Sequence, residues 1–163
     1  LESLARDPAP TFTYIHIISP HPPFVFGPDG EPTDPAGFWN EQRRYPGNLY
    51  RKGYQNQLTY LNQQMEAAVD TLLENSSTPP IIIIQGDHGP WLQPKEKLFR
   101  IFNAYYLPGG GDTLYPDISP VNSFRLVFNE YFGGDYPLLE DRSYYSPVPN
   151  LYDFTEVSNP CEP

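Results

Sequence analysis

The sequence has a single cysteine, few positive charges and no long apolar run. Its 163 residues include 10 Lys and Arg against 20 Asp and Glu, a formal net charge of −10. This acidic balance argues against binding to nucleic acid or to an anionic membrane surface, since such binders are usually basic. The lone Cys161 excludes an internal disulfide framework and a zinc site built from cysteines. No apolar run approaches the roughly 18 residues of a membrane-spanning helix, so this segment is expected to be soluble.

Proline, glycine and aromatic residues are abundant instead. The 21 Pro and 12 Gly residues would suit either disorder or long loops, and the aromatic content of 15% favours ordered loops. The chain begins with Leu1 and lacks the features of a signal peptide, which indicates a mature product or a segment of a longer protein.

Apolar segments occur in the order strand, helix, strand, strand, helix. The strands are predicted at residues 11–19, 81–84 and 100–107, and the helices at residues 49–75 and 120–132. This order predicts an α/β fold with a mostly parallel sheet flanked by helices and at least one right-handed crossover. Residues 22–47 are predicted to form a long loop, and residues 135–163 an irregular tail with short strands at 143–146 and 152–157.

The sharpest local signal is Asp87-His88 in the segment Gln-Gly-Asp-His-Gly-Pro, directly after the second strand. Ligands bind beyond the carboxyl ends of strands in open α/β sheets, and a carboxylate with an imidazole suits a divalent metal. The alternative is a plain turn with an exposed histidine.

A second signal is His21 in Ser-Pro-His-Pro-Pro-Phe, also after a predicted strand. The flanking prolines restrict the backbone, so the imidazole is held for ligation or proton transfer at low conformational cost. The alternative is a polyproline-like stretch with a solvated histidine. His16, inside the first strand, is interpreted as a hydrogen-bonded core residue.

Weaker candidates surround these turns. Trp91 could line a substrate cleft, and Arg43 with Arg44 could bind an anionic group, although core packing and solvated charges are the ordinary alternatives. The other basic cluster comprises Lys95, Lys97 and Arg100.

The two turns on either side of the Tyr- and Leu-striped helix resemble the carboxyl-terminal half of sulfatase-like hydrolases and transferases of the alkaline phosphatase superfamily. The sequence looks similar to the lipoteichoic acid synthases and phosphoethanolamine transferases of that group over residues 11–132. The resemblance implies that Asp87 and His88 ligate a catalytic Mn, Zn or Mg ion and that His21 contacts the substrate or a second metal. It also implies an anionic ester substrate and an extracytoplasmic domain tethered by an upstream transmembrane region.

The family nucleophile has no counterpart here. The sequence contains no Cys-x-Pro-x-Arg signature, and no Thr or Ser matches the nucleophile motif. We therefore expect residues 1–163 to be the C-terminal portion of a catalytic domain, with a core at about 11–132, inactive without its upstream half. Two ligands should bind metal weakly. An exposed sheet edge would favour self-association.

Two other interpretations stay open from the residues alone. The chain could be a non-catalytic module whose aromatic loops bind a carbohydrate or a peptide, with Asp-His-Gly as an ordinary turn. It could also be a structural domain with neither role.

Overall fold

The computed structural model describes residues 2–7, 9–39, 47–90, 94–147 and 149–157, with only the backbone for residues 95 and 96. The chain divides into two compact units, Leu1–Pro79 (unit 1) and Pro80–Pro163 (unit 2). Both helices and strands are present, in agreement with the expected class at this coarse level. Among the described helices, none combines the length and apolarity that a membrane crossing requires.

Unit 1 is dominated by one long helix. A short helix α1 spans Glu2–Ala5, a 3₁₀ turn spans Pro35–Phe38, and helix α2 spans Gly47–Asn75. The helix predicted at residues 49–75 is therefore confirmed, and it ends shortly before Pro79 and Pro80, which cannot continue it. The most buried positions on α2 are Tyr50, Gly53 and Gln57, while the apolar stripe from Tyr54 onward is half-buried.

The core of unit 1 is a small aromatic cluster. Phe24 is fully buried and packs edge-to-face on Phe38 and Tyr50, with ring centroids 5.4 and 5.3 Å apart. Leu49 and Tyr54 pack around these three rings. Edge-to-face packing of this kind stabilises beyond simple area burial, so a few rings can hold the loop to the helix.

The strand predicted at residues 11–19 is not formed. No ladder pair in the described part of the chain includes residues 11–18, and their side chains are exposed, for example Phe12 at 78% and Ile18 at 69%. His16 is exposed as well, which contradicts its interpretation as a core residue. β-branched residues favour an extended backbone, but a strand forms only when a neighbouring strand provides partners for its backbone N–H and C=O groups.

The described part of unit 2 contains two small antiparallel sheets. Strand β1 (Ile82–Gln85) pairs with β2 (Asn103–Tyr106), and β3 (Ser143–Tyr145) pairs with β4 (Thr155–Val157). The strands therefore occur close to the predicted places, but the described pairings are antiparallel, and a parallel sheet is not among them. β1 is half-buried rather than covered on both faces.

Helix α3 (Pro120–Phe132) covers one side of unit 2 and confirms the predicted second helix. It begins after Ser119 and ends at Gly133, whose φ of 65° is the left-handed conformation typical of a helix end. Leu126 and Val127 pack on Leu107 in the core. Phe124 and Phe128 on the same helix are both 43% exposed.

The segment after α3 is held to the helix by a polar network around Asn122. This side chain is fully buried and donates to the Leu139 carbonyl at 2.8 Å and to the Tyr115 hydroxyl at 2.7 Å, while it accepts from the Leu139 amide at 2.9 Å. Asp141 accepts from the Tyr115 hydroxyl at 2.6 Å and from the Ser119 amide at 2.7 Å. Because every buried polar atom here has a partner, the network is stabilising rather than costly.

Candidate functional site

His21 lies in an exposed turn of unit 1. Its amide donates to the Ile18 carbonyl at 2.9 Å, and its ring Nδ1 lies 2.5 Å from the Pro22 carbonyl oxygen. A carbonyl oxygen only accepts, so Nδ1 carries the proton, and the neutral ring has its lone pair on Nε2. The turn therefore presents an imidazole that can accept a proton or bind an electrophile through Nε2.

The residues that follow His21 are fixed on helix α2. The Gln57 Oε1 accepts from the Val25 amide at 2.7 Å, and Nε2 donates to the His21 carbonyl at 3.3 Å. Phe24 lies over Gly53, where a Cβ atom would overlap its ring. Glycine at this helix position therefore makes room for the aromatic anchor of the turn.

Asp87 and His88 lie in a turn directly after β1 in unit 2. The backbone around them is paired with the segment before β2, through Gly86 N–H to the Phe102 carbonyl at 2.8 Å and Gly89 N–H to the Leu98 carbonyl at 2.6 Å. Gly89 is buried, and a Cβ there would lie 2.7 Å from the Lys97 carbonyl oxygen. This close approach of two backbones is possible only with glycine.

The two side chains of this turn lie on a common side. His88 Nδ1 donates to the Gly89 carbonyl at 2.7 Å, which fixes the neutral tautomer whose lone pair is on Nε2. That Nε2 lies 3.8 Å from Asp87 Oδ2, and the Asp87 side chain is 87% exposed. The other carboxylate oxygen, Oδ1, accepts from the His88 amide at 3.0 Å, so the carboxylate is oriented by the backbone of its neighbour.

The distance and the donor types fit a shared divalent cation. Two donors each about 2.1 Å from one ion can be at most about 4.2 Å apart, and 3.8 Å lies within that limit. An imidazole nitrogen and a carboxylate oxygen suit Zn, Mn or Mg to different degrees. Within the described ranges, no group of three or more His, Cys, Asp or Glu side chains is placed to hold a metal ion. Asp87 and His88 alone would therefore supply only two donors to such a cation.

A polar network lies beside the same turn. Gln85, the last residue of β1, donates from Nε2 to Asn103 Oδ1 at 2.9 Å and to Ser123 Oγ at 3.1 Å. Ser123 on α3 is buried and hydrogen-bonds the Tyr105 hydroxyl at 2.6 Å, and Asn103 Nδ2 also donates to this hydroxyl at 2.8 Å. These bonds connect the end of β1, where the turn begins, to β2 and α3.

The weaker candidates are only partly described. Arg43, Arg44 and Trp91 lie outside the described residues, as does the side chain of Lys95. Lys97 and Arg100 are exposed, in or next to the 3₁₀ helix Lys95–Phe99 that pairs with Gly89. His21 belongs to unit 1, and Asp87 and His88 belong to unit 2.

Sequence reasoning missed the residues that support both turns. Gln57 is polar and lies next to Leu58 in the chain, so helical periodicity gave no reason to expect its burial. Gly53 on the helix was the one available signal, because an isolated glycine within a helix often marks a close packing contact.

Comparison with known proteins identifies the family. No curated protein and no solved structure matches the chain. The family model described as Sulfatase matches residues 1–121, a region that contains His21, Asp87 and His88. The match covers well over half of the chain and agrees with the sulfatase-like resemblance that the two turns carry. The chain belongs to the sulfatase family.

Proposed function

We propose that this chain is the C-terminal half of the catalytic domain of a metal-dependent phospho- or sulfo-ester hydrolase or transferase. The observation that supports this proposal most directly is the 3.8 Å distance between Asp87 Oδ2 and His88 Nε2. These atoms lie on a turn whose backbone is held by hydrogen bonds from the Gly86 and Gly89 amides. Membership of the sulfatase family supports a reaction on a sulfo- or phospho-ester. The family generally uses a divalent metal, which supports the metal dependence. The substrate would be an anionic ester.

Asp87 and His88 would hold the metal. When bound, a divalent cation lowers the pKa of a nucleophile and neutralises charge that develops on the ester oxygens. The contribution of the chain's own residues is to fix the donors: the Gly89 carbonyl selects the His88 tautomer, and the His88 amide orients the Asp87 carboxylate. Donors held in advance need no reordering when the ion binds.

His21 would act on the substrate itself. Its Nδ1–H is engaged with the Pro22 carbonyl, so the group available for proton transfer is Nε2. In the protonated ring, Nε2–H would donate to a non-bridging oxygen or to the leaving group. Trp91 and Arg43 are further candidates for substrate contact.

The nucleophile and the remaining metal ligands are proposed to come from the upstream half of the same protein. The sequence has no Cys-x-Pro-x-Arg motif, and Asp87 with His88 cannot by themselves close a four-coordinate site. We therefore expect the 163 residues alone to be catalytically inactive and to bind metal weakly. The intact protein is proposed to resemble lipoteichoic acid synthases and phosphoethanolamine transferases, with an extracytoplasmic domain tethered by an upstream transmembrane region.

The metal assignment is tested by titrating the chain with ZnCl₂ or MnCl₂ and following the ¹⁵N-labelled ring nitrogens of its three histidines by NMR. We expect the His88 Nε2 resonance to move with ZnCl₂ or to broaden with MnCl₂, and the response to disappear in Asp87→Ala. Asp112→Ala, which removes another exposed carboxylate of unit 2, is the matched control and should respond like the wild type. An identical response in Asp87→Ala and wild type would remove Asp87 from the ligand set.

The catalytic assignment needs the upstream half. Phosphodiesterase, phosphatase and sulfatase turnover is compared between this chain and a version extended upstream, each with and without Asp87→Ala. Turnover by the extended protein alone, abolished by the substitution, is the expected result. An inert extended protein with no response to Asp87→Ala would argue for the competing function.

The competing function is a non-catalytic module that binds carbohydrate or peptide. A row of exposed aromatic rings on and after α3 favours it: Phe128 lies 6.1 Å from Phe124, 5.9 Å from Phe132 and 6.0 Å from Tyr136 between ring centroids. Exposed aromatic rows are common where sugars or apolar side chains dock. This function predicts oligosaccharide or peptide binding that Phe128→Ala weakens and Asp87→Ala leaves unchanged.

A further inference from the structure

We propose that Gln57 is a positioning residue for the His21 imidazole. The proposal rests on the role proposed above for His21. The tautomer and the position of the His21 ring would then depend on a side chain of α2 that lies 36 residues further along the chain.

Both the oxygen and the nitrogen of the Gln57 side-chain amide hydrogen-bond the backbone of the turn that contains His21. Oε1 accepts from the Val25 amide at 2.7 Å and from the Phe26 amide at 3.4 Å, while Nε2 donates to the His21 carbonyl at 3.3 Å. A single planar group therefore contacts the turn on both sides of Phe24. Side chains without both a donor and an acceptor cannot make this pattern.

A glutamine side chain at a buried position requires a physical explanation. Gln57 is 1% exposed, and a polar amide loses its hydration at such a position. A methionine of similar length would fill the same space without that cost. The polar side chain is therefore explained by the backbone bonds it makes rather than by packing.

Additional contacts limit how the turn can relax. The Thr33 hydroxyl donates to the Phe24 carbonyl at 2.8 Å, and the Thr33 amide donates to the Val25 carbonyl at 2.9 Å. These bonds hold residues 24 and 25 independently of Gln57. Loss of the Gln57 amide should therefore release mainly the His21 end of the turn, where the Nδ1–H bond to Pro22 sets the tautomer.

The test uses the full chain with ¹⁵N-labelled histidine. It compares wild type, Gln57→Met, Gln57→Glu and the control Gln55→Met, which alters an exposed glutamine on the same helix. The readout is the pair of ring nitrogen resonances of each histidine, which report its tautomer, together with the melting temperature. His16, which is exposed in residues 11–18, serves as the reference histidine.

In wild type and in Gln55→Met, we expect His21 to show a protonated Nδ1 and an unprotonated Nε2. In Gln57→Met, both resonances should move toward those of His16, while those of His88 stay unchanged. Gln57→Glu keeps an acceptor for the Val25 amide, but its ionised carboxylate has no donor for the His21 carbonyl, so the same displacement of the His21 resonances should occur.

A lower melting temperature with unchanged His21 resonances in Gln57→Met would make Gln57 a core residue only and overturn the proposal. If that variant does not fold, unchanged His21 resonances in Gln57→Glu overturn it. The result is separate from the proposed function: failure of the zinc or manganese titration at Asp87 and His88 would refute the metal site and leave the tautomer comparison intact.

Discussion

The two turns that carry the candidate residues are built differently. The His21 turn is held by side chains, with the Gln57 amide on its backbone and the Phe24 ring over Gly53. The Asp87–His88 turn is held by backbone pairing and by the absence of a Cβ atom at Gly89. Substitutions of several different side chains should each weaken the first kind of turn in part. The second kind should tolerate substitution of most neighbouring side chains but be disrupted when its glycine is replaced.

The largest effect is expected from Gly89→Ala. The new Cβ would lie 2.7 Å from the Lys97 carbonyl oxygen and 3.3 Å from that of Arg100, and backbone atoms cannot move as a side-chain end can. We expect a loss of about 3 kcal/mol in the free energy of unfolding, measured by urea denaturation. The zinc response of His88 should be lost as well.

Gly111→Ala is the control in the same unit, because a Cβ there meets nothing within 4 Å. It should change the free energy of unfolding by less than about 0.5 kcal/mol. Equal effects of the two substitutions would contradict the description of the Asp87–His88 turn as a backbone contact.

Gly53→Ala applies the same change to the His21 turn. The Cβ would overlap the Phe24 ring, but a ring can tilt, so we expect a smaller loss of about 2 kcal/mol. The ¹⁵N resonances of His21 should move because its anchor shifts. Gly37→Ala, with no atom within 4 Å of the new Cβ, is the matched control in unit 1. A Gly53→Ala protein with wild-type stability would show that Phe24 is not a fixed anchor.

Ser123→Ala tests whether a side-chain network also supports the Asp87–His88 turn. Ser123 is 1% exposed and bonds both Gln85 and the Tyr105 hydroxyl, so its removal deletes two hydrogen bonds, while Asn103 still bonds both of these groups. We expect a loss of about 1 kcal/mol by thermal or urea unfolding, with the His88 resonances nearly unchanged. Exposed Ser77→Ala is the control. A large displacement of the His88 resonances would mean that the turn depends on side chains after all.

Acid should weaken the polar network around Asp141 in unit 2. Burial by itself raises the pKa of Asp141, but hydrogen bonds from Ser119, Tyr115 and Asn122 outweigh it and hold the pKa below its ordinary value of 3.8. The ionised carboxylate therefore contributes stability above about pH 4, and this contribution is lost as the pH falls through the lowered pKa. The buried polar side chain that supports the His21 turn in unit 1 is the Gln57 amide, which does not titrate.

The measurement is the stability of the chain between pH 5 and about pH 2, with Asp141→Asn as the variant. We expect the variant to be less stable at pH 5 and to lose less on acidification than the wild type. At alkaline pH, burial and the hydrogen bond to Asp141 raise the pKa of Tyr115 to about 12. The protonated Tyr115 hydroxyl therefore contributes its full stabilisation below pH 10, and this contribution is lost as the pH rises toward 12. Parallel acid profiles for the two proteins would exclude Asp141 as the source of acid sensitivity.

Much of the local structure follows from the sequence. The spacing of Tyr54, Leu58 and Leu61 predicts α2, and Ser119-Pro120 with Gly133 marks both ends of α3, because helix periodicity and helix-end chemistry are properties of neighbouring residues. The Asp-His-Gly turn after an isoleucine strand was recognisable for the same reason. Its side chains, backbone and glycine are all within a few positions of each other.

The tertiary structure decided what depends on distant partners. Residues 11–18 have the composition of a strand, yet no ladder forms there in the described chain, because pairing is supplied by another segment. Phe124 and Phe128 fit the helical stripe but lie partly exposed, since the stripe does not specify what covers it. The bonds from Gln57 to His21 and Val25 span more than thirty residues, so no local pattern contains them. The sequence alone determined which chemical groups the two turns carry, and only the packing of each unit determined which residues hold them in place.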